Sequence, residues 1–276
     1  MAGILYLVGT PIGNLGDISP RAAKTLESVD FIAAEDTRVT LKLLNHLNIK
    51  KQLVSYYEHN RAESGEKIVT RLLAGETCAL VSDAGMPAIS DPGEELTRLC
   101  AENGIDVLVV PGPCAAVSAL ALSGLPTGRF TFEGFLSTAK KSRREHLDSL
   151  LGETRTMIFY EAPHKLSATL RDMAEVFGGQ RRVSLSRELT KLHEETWHTT
   201  LSHAAEHYSE NVPRGEFVLI VEGTAKKAEA EMTLDEAVEL VLHLRDGGMS
   251  LKDAARRCAR DAGLSRKAIY DAALRR

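Results

Sequence analysis

Short apolar runs recur along most of the chain, and stretches with helical spacing separate them. In the first part of the chain these runs cover residues 4–8, 30–34, 52–57, 78–82 and 107–110. Between the runs, apolar residues recur every three or four positions, as in Ala22, Leu26 and Val29. This alternation predicts strands joined by helices, and therefore a mostly parallel sheet covered by helices.

A second series of apolar runs begins after a Leu-Pro-Thr-Gly break at residues 125–128. Its runs cover residues 130–136, 156–160, 182–189 and 217–222. Between them, the pattern predicts a helix over residues 164–177 and a β-hairpin near residues 194–200. We therefore expect an α/β fold with two α/β domains, residues 1–125 and 126–223.

The end of the chain follows a third pattern. A polar run rich in Ala, Glu and Lys at residues 224–231 predicts a linker. Three short helices are predicted after it, over residues 233–244, 250–261 and 265–274. Ser250 and Ser265 are placed as N-caps of the second and third of these helices. Residues 224–276 are thus predicted to be a linker followed by a small helical module.

The helical module is basic, although the whole chain carries a formal net charge of −4. From residue 247 to the end, eight basic residues stand against three acidic ones, which gives this tail a charge of +5. The basic residues are Lys252, Arg256, Arg257, Arg260, Arg266, Lys267, Arg275 and Arg276. Such an uneven distribution of charge favours a polyanionic partner.

The composition of the 276-residue chain is that of a soluble globular protein, with 43% hydrophobic and 26% charged residues. The run at residues 4–8 has no basic segment before it and no cleavage pattern after it, so it predicts a strand and not a signal peptide. No stretch reaches the roughly 18 apolar residues that cross a bilayer. We expect a cytoplasmic protein.

The four cysteines, Cys78, Cys100, Cys114 and Cys258, are too far apart in the sequence to form a CxxC motif. The nine histidines also lack the spacing of metal ligands. We predict buried free thiols and no structural metal.

Three junctions between a predicted strand and the next helix are rich in glycine and proline: residues 9–17, 82–93 and 111–116. In parallel sheets ligands bind beyond the carboxyl ends of the strands, which is where these loops must lie. In the second loop we expect Asp91 to cap a helix that has Pro92 in its first turn and Glu94 completing a capping box.

The charges of these loops indicate the chemistry of the ligand. The loops contain Asp17, Asp83 and Asp91 but no Lys or Arg. A phosphate-rich ligand more often recruits a basic side chain, although backbone amides at a helix N-terminus can suffice. A neutral or cationic ligand is therefore favoured.

A dinucleotide site is the main competing interpretation. Gly9, Gly13 and Gly16 follow the first strand, and the pair Glu35 and Asp36 comes about 20 residues later. However, the spacing is GxxxGxxG and not GxGxxG, and a proline lies within the loop. A Walker A motif is absent from the sequence.

The second domain has its own polar groups at strand ends, at residues 159–165, 186–191 and 214–216. The first of these segments brings Glu161, His164 and Lys165 together in one junction. Neither a Ser-His-Asp nor a Cys-His order is present, so we propose no covalent nucleophile.

Five segments together closely resemble the ribosomal RNA small subunit methyltransferase I family of the tetrapyrrole-methylase-like superfamily. They are residues 7–15, 34–38, 82–93, 111–113 and 161–165. The resemblance implies two α/β domains with S-adenosylmethionine in the cleft between them, usually in a homodimer. It also implies methylation of the ribose 2′-hydroxyl of a cytidine in the decoding centre of 16S rRNA, in the small ribosomal subunit.

The same resemblance implies which residues hold the cofactor. They are Pro11, Asp83, Gly85, Met86, Ile89, Cys114, Ala115 and Tyr160, with Glu161 close by. S-adenosylmethionine is a sulfonium cation without phosphates, so it agrees with the ligand chemistry inferred from the loops. Porphyrin methylases typically have a Gly-Asp-Pro turn where this chain has a longer loop at residues 82–93, which favours the ribosomal branch.

Methyl transfer to a hydroxyl calls for an aligned nucleophile and for a base or a cation near the developing alkoxide. The candidates for these roles are Glu188, Lys191, Glu161 and His164. The candidates for contacts with RNA phosphates are the C-terminal basic cluster and Lys140, Lys141, Arg143 and Arg144. The alternatives are a small-molecule tetrapyrrole methylase and a nicotinamide-dependent oxidoreductase.

Overall fold

A computed structural model describes residues 2–225, 232–262 and 264–276 of the chain. The chain divides into two compact units, Met1–Thr224 and Ala225–Arg276, and each is described by itself. Most of the predicted linker, residues 226–231, lies outside the described residues.

The first sheet is parallel throughout, with strand order β3-β2-β4-β1-β5. Its strands are β1 (Ile4–Val8), β2 (Phe31–Ala34), β3 (Gln52–Ser55), β4 (Cys78–Val81) and β5 (Asp106–Val110). Its helices are α1 (Pro20–Ser28), α2 (Thr37–His46), α3 (Arg61–Leu73), α4 (Gly93–Glu102) and α5 (Ala115–Leu122), and a short 3₁₀ turn spans Leu15–Asp17. The predicted parallel sheet is confirmed.

Helices cover both faces of the first sheet, which explains why β2 and β4 are apolar and buried along their whole length. On one face Leu5 and Phe31 pack with residues of α3 and α4. On the other face Val8 and Ile32 pack with residues of α1 and α2. The loops that follow the strands therefore emerge together at one edge of the sheet.

The second sheet is mixed, with strand order β6-β7-β10-β8-β9. Its strands are β6 (Phe130–Phe135), β7 (Thr156–Glu161), β8 (Arg182–Arg187), β9 (Glu195–Thr200) and β10 (Phe217–Val221), and its helices are α6 (Lys140–Ser149), α7 (Pro163–Phe177) and α8 (Leu201–Glu210). Strands β6 and β7 run parallel, and the other neighbours are antiparallel. The antiparallel pairing of β8 with β9 confirms the predicted hairpin.

Helix α5 joins the two α/β parts of the first unit. Its sequence is apolar almost throughout, and its residues Ala116, Ala119 and Leu120 pack against the second sheet. The partners in that sheet include Ile158 and Val218. Because α5 starts directly after a loop of the first sheet, it draws that loop towards the strand ends of the second sheet.

The second unit contains the three predicted helices: α9 (Leu234–Asp246), α10 (Leu251–Ala262) and α11 (Arg266–Ala273). Their core includes Ala254, Ala255 and Cys258 on one face of α10. The hydroxyl of Ser250 accepts a hydrogen bond from the Asp253 N–H at 3.1 Å, and the Ser265 hydroxyl accepts one from the Ala268 N–H at 3.4 Å. Both serines therefore cap as predicted. No helix within the described residues is long and apolar enough to span a membrane.

The predicted start of α4 needs a correction. The helix begins at Gly93, and Pro92 is its N-cap and not its first residue. The Asp91 carboxylate accepts hydrogen bonds from the Ala88 N–H at 2.9 Å and the Gly93 N–H at 2.8 Å. Since one oxygen serves both groups, Asp91 closes the loop before the helix, and no side-chain capping bond forms at Pro92.

Candidate active site

A cavity of about 460 Å³ lies where the carboxyl ends of the first sheet meet the strand ends of the second. A volume of this size is typical of a small-molecule site. The first sheet contributes Ile12, Glu35, Ser82, Asp83, Ala84, Gly85, Met86, Ile89, Ser90, Asp91, Cys114 and Ala115. The second contributes Phe135, Tyr160, Glu161, Ala162, Pro163, Ser186, Glu188, Leu189, Lys191, Glu216, Phe217 and Val218.

The loop at residues 82–93 has an uncommon backbone conformation. Gly85 has φ +83°, and the non-glycine residues Ala88 and Ser90 both have φ +66°. Two hydrogen bonds tie this loop to the first loop: the Thr10 N–H donates to the Gly85 carbonyl at 2.9 Å, and the Gly85 N–H donates to the Thr10 carbonyl at 3.1 Å. Left-handed residues held in this way are typical of ligand-binding loops.

Glycines allow the first and third loops to touch. A Cβ on Gly9 would lie 2.6 Å from the Gly112 Cα and 2.7 Å from the Met86 sulfur. The Gly112 N–H also donates to that sulfur at 3.2 Å. The three glycine- and proline-rich loops therefore form one packed wall of the cavity.

Carboxylates dominate the charge of the cavity. Its described lining contains six carboxylates and one ammonium group: Glu35, Asp83, Asp91, Glu161, Glu188, Glu216 and Lys191. Burial, and then the neighbouring Asp83, raise the pKa of the Glu35 carboxyl. Within the described residues, no group of three or more His, Cys, Asp or Glu could hold a metal ion. The charge balance suits a cationic organic ligand.

Tyr160 forms a fixed wall opposite the third loop. Its hydroxyl accepts a hydrogen bond from the Ala116 N–H at 3.2 Å, at the start of α5. Burial, followed by the nearby Cys114 thiol, raises the pKa of Tyr160 to about 12. The phenol is therefore protonated at neutral pH and acts by position and shape, not as a base.

Glu161 is buried and fully engaged. Its carboxylate pairs with the Lys165 Nζ at 3.0 Å and accepts hydrogen bonds from the Thr169 hydroxyl at 2.5 Å and the Ala162 N–H at 2.8 Å. These contacts hold the junction between β7 and α7 together. Although Glu161 lines the cavity, the geometry makes it an anchor of the site and not a free base.

Lys191 brings together the ends of two strands. Its Nζ lies 3.0 Å from the Glu188 Oε1 and 3.0 Å from the Glu216 Oε2. Burial acts to lower the pKa of Lys191, but hydrogen bonds to both carboxylates outweigh it and raise the pKa. The hydrogen bond from Lys191 lowers the pKa of Glu188, more than burial raises it. The site thus holds a permanent ammonium between two carboxylates.

Two predicted site residues lie outside the described lining of the cavity. Pro11 is half-buried, and its neighbour Ile12 is in the lining where the family resemblance implies Pro11. The hydrogen bonds between Thr10 and Gly85 hold this part of the first loop against the loop at residues 82–93. His164 lies exposed on the first turn of α7, because that turn runs away from the strand end.

The prediction that Arg143 contacts RNA phosphates is wrong for a physical reason. Arg143 is only 6% exposed, and its Nε donates to the Asp172 carboxylate at 2.7 Å. Its Nη1 donates to the Ser137 and Thr138 carbonyls, each at 3.2 Å. Arg143 therefore holds the turn between β6 and α6 in place.

The neighbours of Arg143 differ from it in exposure. Arg144 is partly exposed and pairs with Glu175. Lys140 and Lys141 are exposed on α6 and stay candidates for phosphate contacts.

The sequence interpretation missed part of the lining. Leu189, Phe217 and Val218 form an apolar part of the wall. In the sequence, Leu189 lies within a polar segment at residues 186–191 and the other two residues begin an apolar run at residues 217–222, so neither pattern indicates a ligand contact. Only the central position of β10, between β7 and β8, brings Phe217 opposite Glu161 and next to the cavity.

Comparisons with known proteins cover both units of the chain. The family model of Tetrapyrrole (Corrin/Porphyrin) Methylases matches residues 4–205, and that of the RsmI C-terminal HTH domain matches residues 232–276. A Synechocystis sp. protein named ribosomal RNA small subunit methyltransferase I is 47% identical, over 99% of this chain and 98% of its own length. The protein of the same name from Pseudomonas aeruginosa is 44% identical, over 100% of this chain and 98% of its own length.

Solved structures share the fold at low identity. Uroporphyrin III C-methyl transferase from Thermus thermophilus superposes with a TM-score of 0.57 at 18% identity, covering 80% of this chain and 97% of that one. The same enzyme has been solved in complex with S-adenyl homocysteine, and that structure superposes with a TM-score of 0.56 at 20% identity, covering 80% of this chain and 97% of that one. A diphthine synthase superposes with a TM-score of 0.60 at 11% identity, covering 80% of this chain and 90% of that one. At these identities the structures show the fold alone.

Proposed function

Because this chain belongs to the tetrapyrrole methylase family, and within it to the ribosomal RNA small subunit methyltransferase I group, we propose that it methylates a cytidine ribose at the 2′-hydroxyl in the decoding centre of 16S rRNA. The observation that carries this proposal is the near-full-length identity to these relatives, which includes the C-terminal module. The cavity also supports the proposal, because its carboxylates and apolar residues suit a cationic organic cofactor.

S-adenosylmethionine is the cofactor, and the cavity fits it on two counts. The excess of carboxylates suits a sulfonium cation, and the apolar lining residues, which include Ile12, Met86 and Ile89, would suit its adenine ring. The residues that would hold it are Asp83, Gly85, Met86, Ile89, Cys114, Ala115 and Tyr160, with Ile12 in place of Pro11. When bound, the cofactor supplies an electrophilic methyl group.

The residues of the chain then align the ribose hydroxyl and exclude water, which is the main requirement of an in-line displacement. Lys191, ionised at every pH near neutrality, stabilises the negative charge that develops on the hydroxyl oxygen. Glu188 is ionised as well, holds Lys191 in place, and is the carboxylate that we assign to accept the hydroxyl proton. Glu161 keeps the junction after β7 in shape.

The basic residues of the second unit would hold the RNA. Lys252, Arg256, Arg257 and Arg260 are exposed on α10, at spacings that place most of them along one side of the helix. Contacts between such residues and phosphates release counterions, so the affinity falls as the salt concentration rises. Truncation after Thr224 should therefore weaken RNA binding and flatten its salt dependence while leaving cofactor affinity intact. If the truncation left the salt dependence of RNA affinity unchanged, the C-terminal module would not contact the RNA phosphates.

The proposal is tested by mixing purified protein with S-adenosylmethionine labelled in the methyl group and with small ribosomal subunits that lack the modification. Label in 16S rRNA supports it. In a parallel reaction with a tetrapyrrole in place of the subunits, label in the tetrapyrrole and none in RNA would support the small-molecule methylase instead. In a separate binding measurement, NAD binding by a protein that transfers no methyl group would support the oxidoreductase. A homodimer is part of the proposal, and sedimentation at micromolar concentration checks it.

A further inference from the structure

Strand β6 lies at an edge of the second sheet and contains an irregularity beside the cavity. Its pairing with β7 shifts register between Phe132 and Gly134, and Gly134 has φ +63°. In a regular strand Phe132 and Phe135 would point to opposite faces, since side chains alternate. The extra residue of a bulge reverses the alternation, and here it brings both rings to the face of Tyr160.

The ring of Phe135 is exposed at the cavity in spite of its apolar character. Phe135 is 56% exposed, and it lines the cavity directly opposite Tyr160 in the strand register. The centroids of these two rings are 5.4 Å apart at an interplanar angle of 53°. Phe132 meets Tyr160 edge-on, with centroids 5.2 Å apart. The three rings form an aromatic cluster in which Phe135, at 56% exposed, is more accessible than Phe132, at 37%.

A charged side chain fixes Phe135 in this position. The Lys165 Nζ lies 5.5 Å from the centre of the Phe135 ring and donates a hydrogen bond to the Leu136 carbonyl at 3.2 Å. The same ammonium pairs with the buried Glu161. The network therefore holds the backbone directly after Phe135 and places a cation beside the ring, which lowers the conformational freedom that the ring loses when a ligand binds.

We propose that Phe135 is a stacking platform for an unpaired base of the RNA substrate at the mouth of the cavity, a role that rests on the proposed methylation of RNA. A ribose hydroxyl reaches a recessed methyl donor only if its nucleotide leaves the regular stack, and proteins hold such bases on aromatic rings. The exposed ring is preorganised for this contact and borders the cavity that holds the donor.

Exposure alone does not single out Phe135. Phe130 lies on the same strand and is 43% exposed, but it is far from the described lining of the cavity, at the opposite end of β6. What distinguishes Phe135 is the bulge that turns it, the Lys165 network that holds it and its place in the lining. Phe130 therefore provides a matched control of the same residue type and strand.

The test compares Phe135→Ala, Phe135→Trp and Phe130→Ala in methyl transfer to small ribosomal subunits, with cofactor affinity measured by calorimetry. Loss of a base–aromatic stack should lower kcat/KM for the subunit roughly 5- to 150-fold in Phe135→Ala. The loss should appear mainly in KM, with cofactor affinity unchanged. Phe135→Trp should restore kcat/KM, because it keeps an aromatic face, and Phe130→Ala should behave like the unaltered protein.

Three outcomes would overturn the role of Phe135 as a platform. They are unaltered kinetics in Phe135→Ala, a loss that is matched by weaker cofactor binding, and an equal loss in Phe130→Ala. In each of these cases the unaltered protein still methylates RNA. If the unaltered protein transfers no methyl group to RNA, the proposed function itself fails, so the two failures are distinguishable.

Discussion

The two α/β parts that enclose the cavity build their walls by different means. In the first part, glycines and left-handed residues such as Ala88 bring backbone against backbone. In the second part, ion pairs and hydrogen bonds join side chains from separate strands, as Lys191 does with Glu188 and Glu216. The wall of the first part thus depends on glycines, which lack side chains, and the wall of the second part depends on charged side chains.

This difference predicts how each wall fails. A backbone wall tolerates changes of polarity but not added volume, because its atoms are already in contact. A wall of paired charges tolerates added volume better than the loss of one partner, since the remaining charge is left without its counter-ion. Substitutions in each of the two parts test this contrast.

Arg143→Ala should destabilise the second part most. It leaves the buried Asp172 carboxylate with only the more distant Arg144, at 3.7 Å, and breaking a buried pair costs up to about 3–5 kcal/mol. Chemical denaturation measures the free energy of unfolding. Lys140→Ala, three residues earlier on the exposed side of α6, is the control and should change it little. If both variants had the same free energy of unfolding, the ion pair of Arg143 with Asp172 would not stabilise the turn between β6 and α6.

Lys191→Met should slow the reaction and also loosen the wall of the second part, because Glu188 and Glu216 lose their shared counter-ion. Removal of a group that stabilises developing negative charge typically lowers kcat about 10²- to 10³-fold. Lys191→Arg keeps the charge and should retain part of the rate, and the exposed Lys67→Met serves as the control. Single-turnover methyl transfer measures the rate. If Lys191→Met transferred the methyl group at the unaltered rate, the Lys191 ammonium would have no role in the chemical step.

Gly9→Ala should damage the backbone wall without changing any charge. The added methyl group would lie 2.6 Å from the Gly112 Cα, and forcing such a group into packed structure costs about 1–3 kcal/mol. Cofactor affinity should fall with stability, because the loops must move apart. Gly128→Ala is the control, since its Cβ would meet no atom within 4 Å. Equal stability and equal cofactor affinity of the two variants would contradict the close contact between Gly9 and Gly112.

Glu35→Gln should have the smallest effect and the clearest pH dependence. The pKa of Glu35 is raised in the folded protein above its ordinary value of 4.5, so the folded state binds this proton more tightly than the unfolded state. Stability is therefore lost as the pH rises through and above 4.5. The Glu35→Gln variant should have a higher free energy of unfolding than the unaltered protein at neutral pH and an equal one below pH 4.5. It should also bind the cofactor more weakly, because a carboxylate is lost. Denaturation at both pH values checks this, and an equal gain at both would contradict it.

Much of the fold could be predicted because its signals are local. Apolar runs such as residues 4–8 and 78–82 and the capping serines Ser250 and Ser265 depend on neighbouring residues only. The strand order of the second sheet depends on distant residues, because β10 is the last of its strands along the chain but lies at the centre of the sheet. The domain boundaries at residues 125 and 223 stay predictions.

The candidate site was predictable to a smaller extent, for the same reason. The loop at residues 82–93 is visible in the sequence as a cluster of glycine, proline and aspartate. The burial of Arg143 depends on Asp172, 29 residues away, and no local pattern indicates it. The orientation of Phe135 depends on a bulge whose register is set by the neighbouring strand.

The position of the methyl group on the RNA tests the proposed ribose methylation most directly. After reaction with labelled S-adenosylmethionine, 16S rRNA is hydrolysed with alkali, which cleaves next to every free 2′-hydroxyl. We expect label in one alkali-resistant dinucleotide that begins with cytidine. Label released as a mononucleotide would place the methyl group on a base, and that result would contradict the assignment of a ribose hydroxyl as the acceptor.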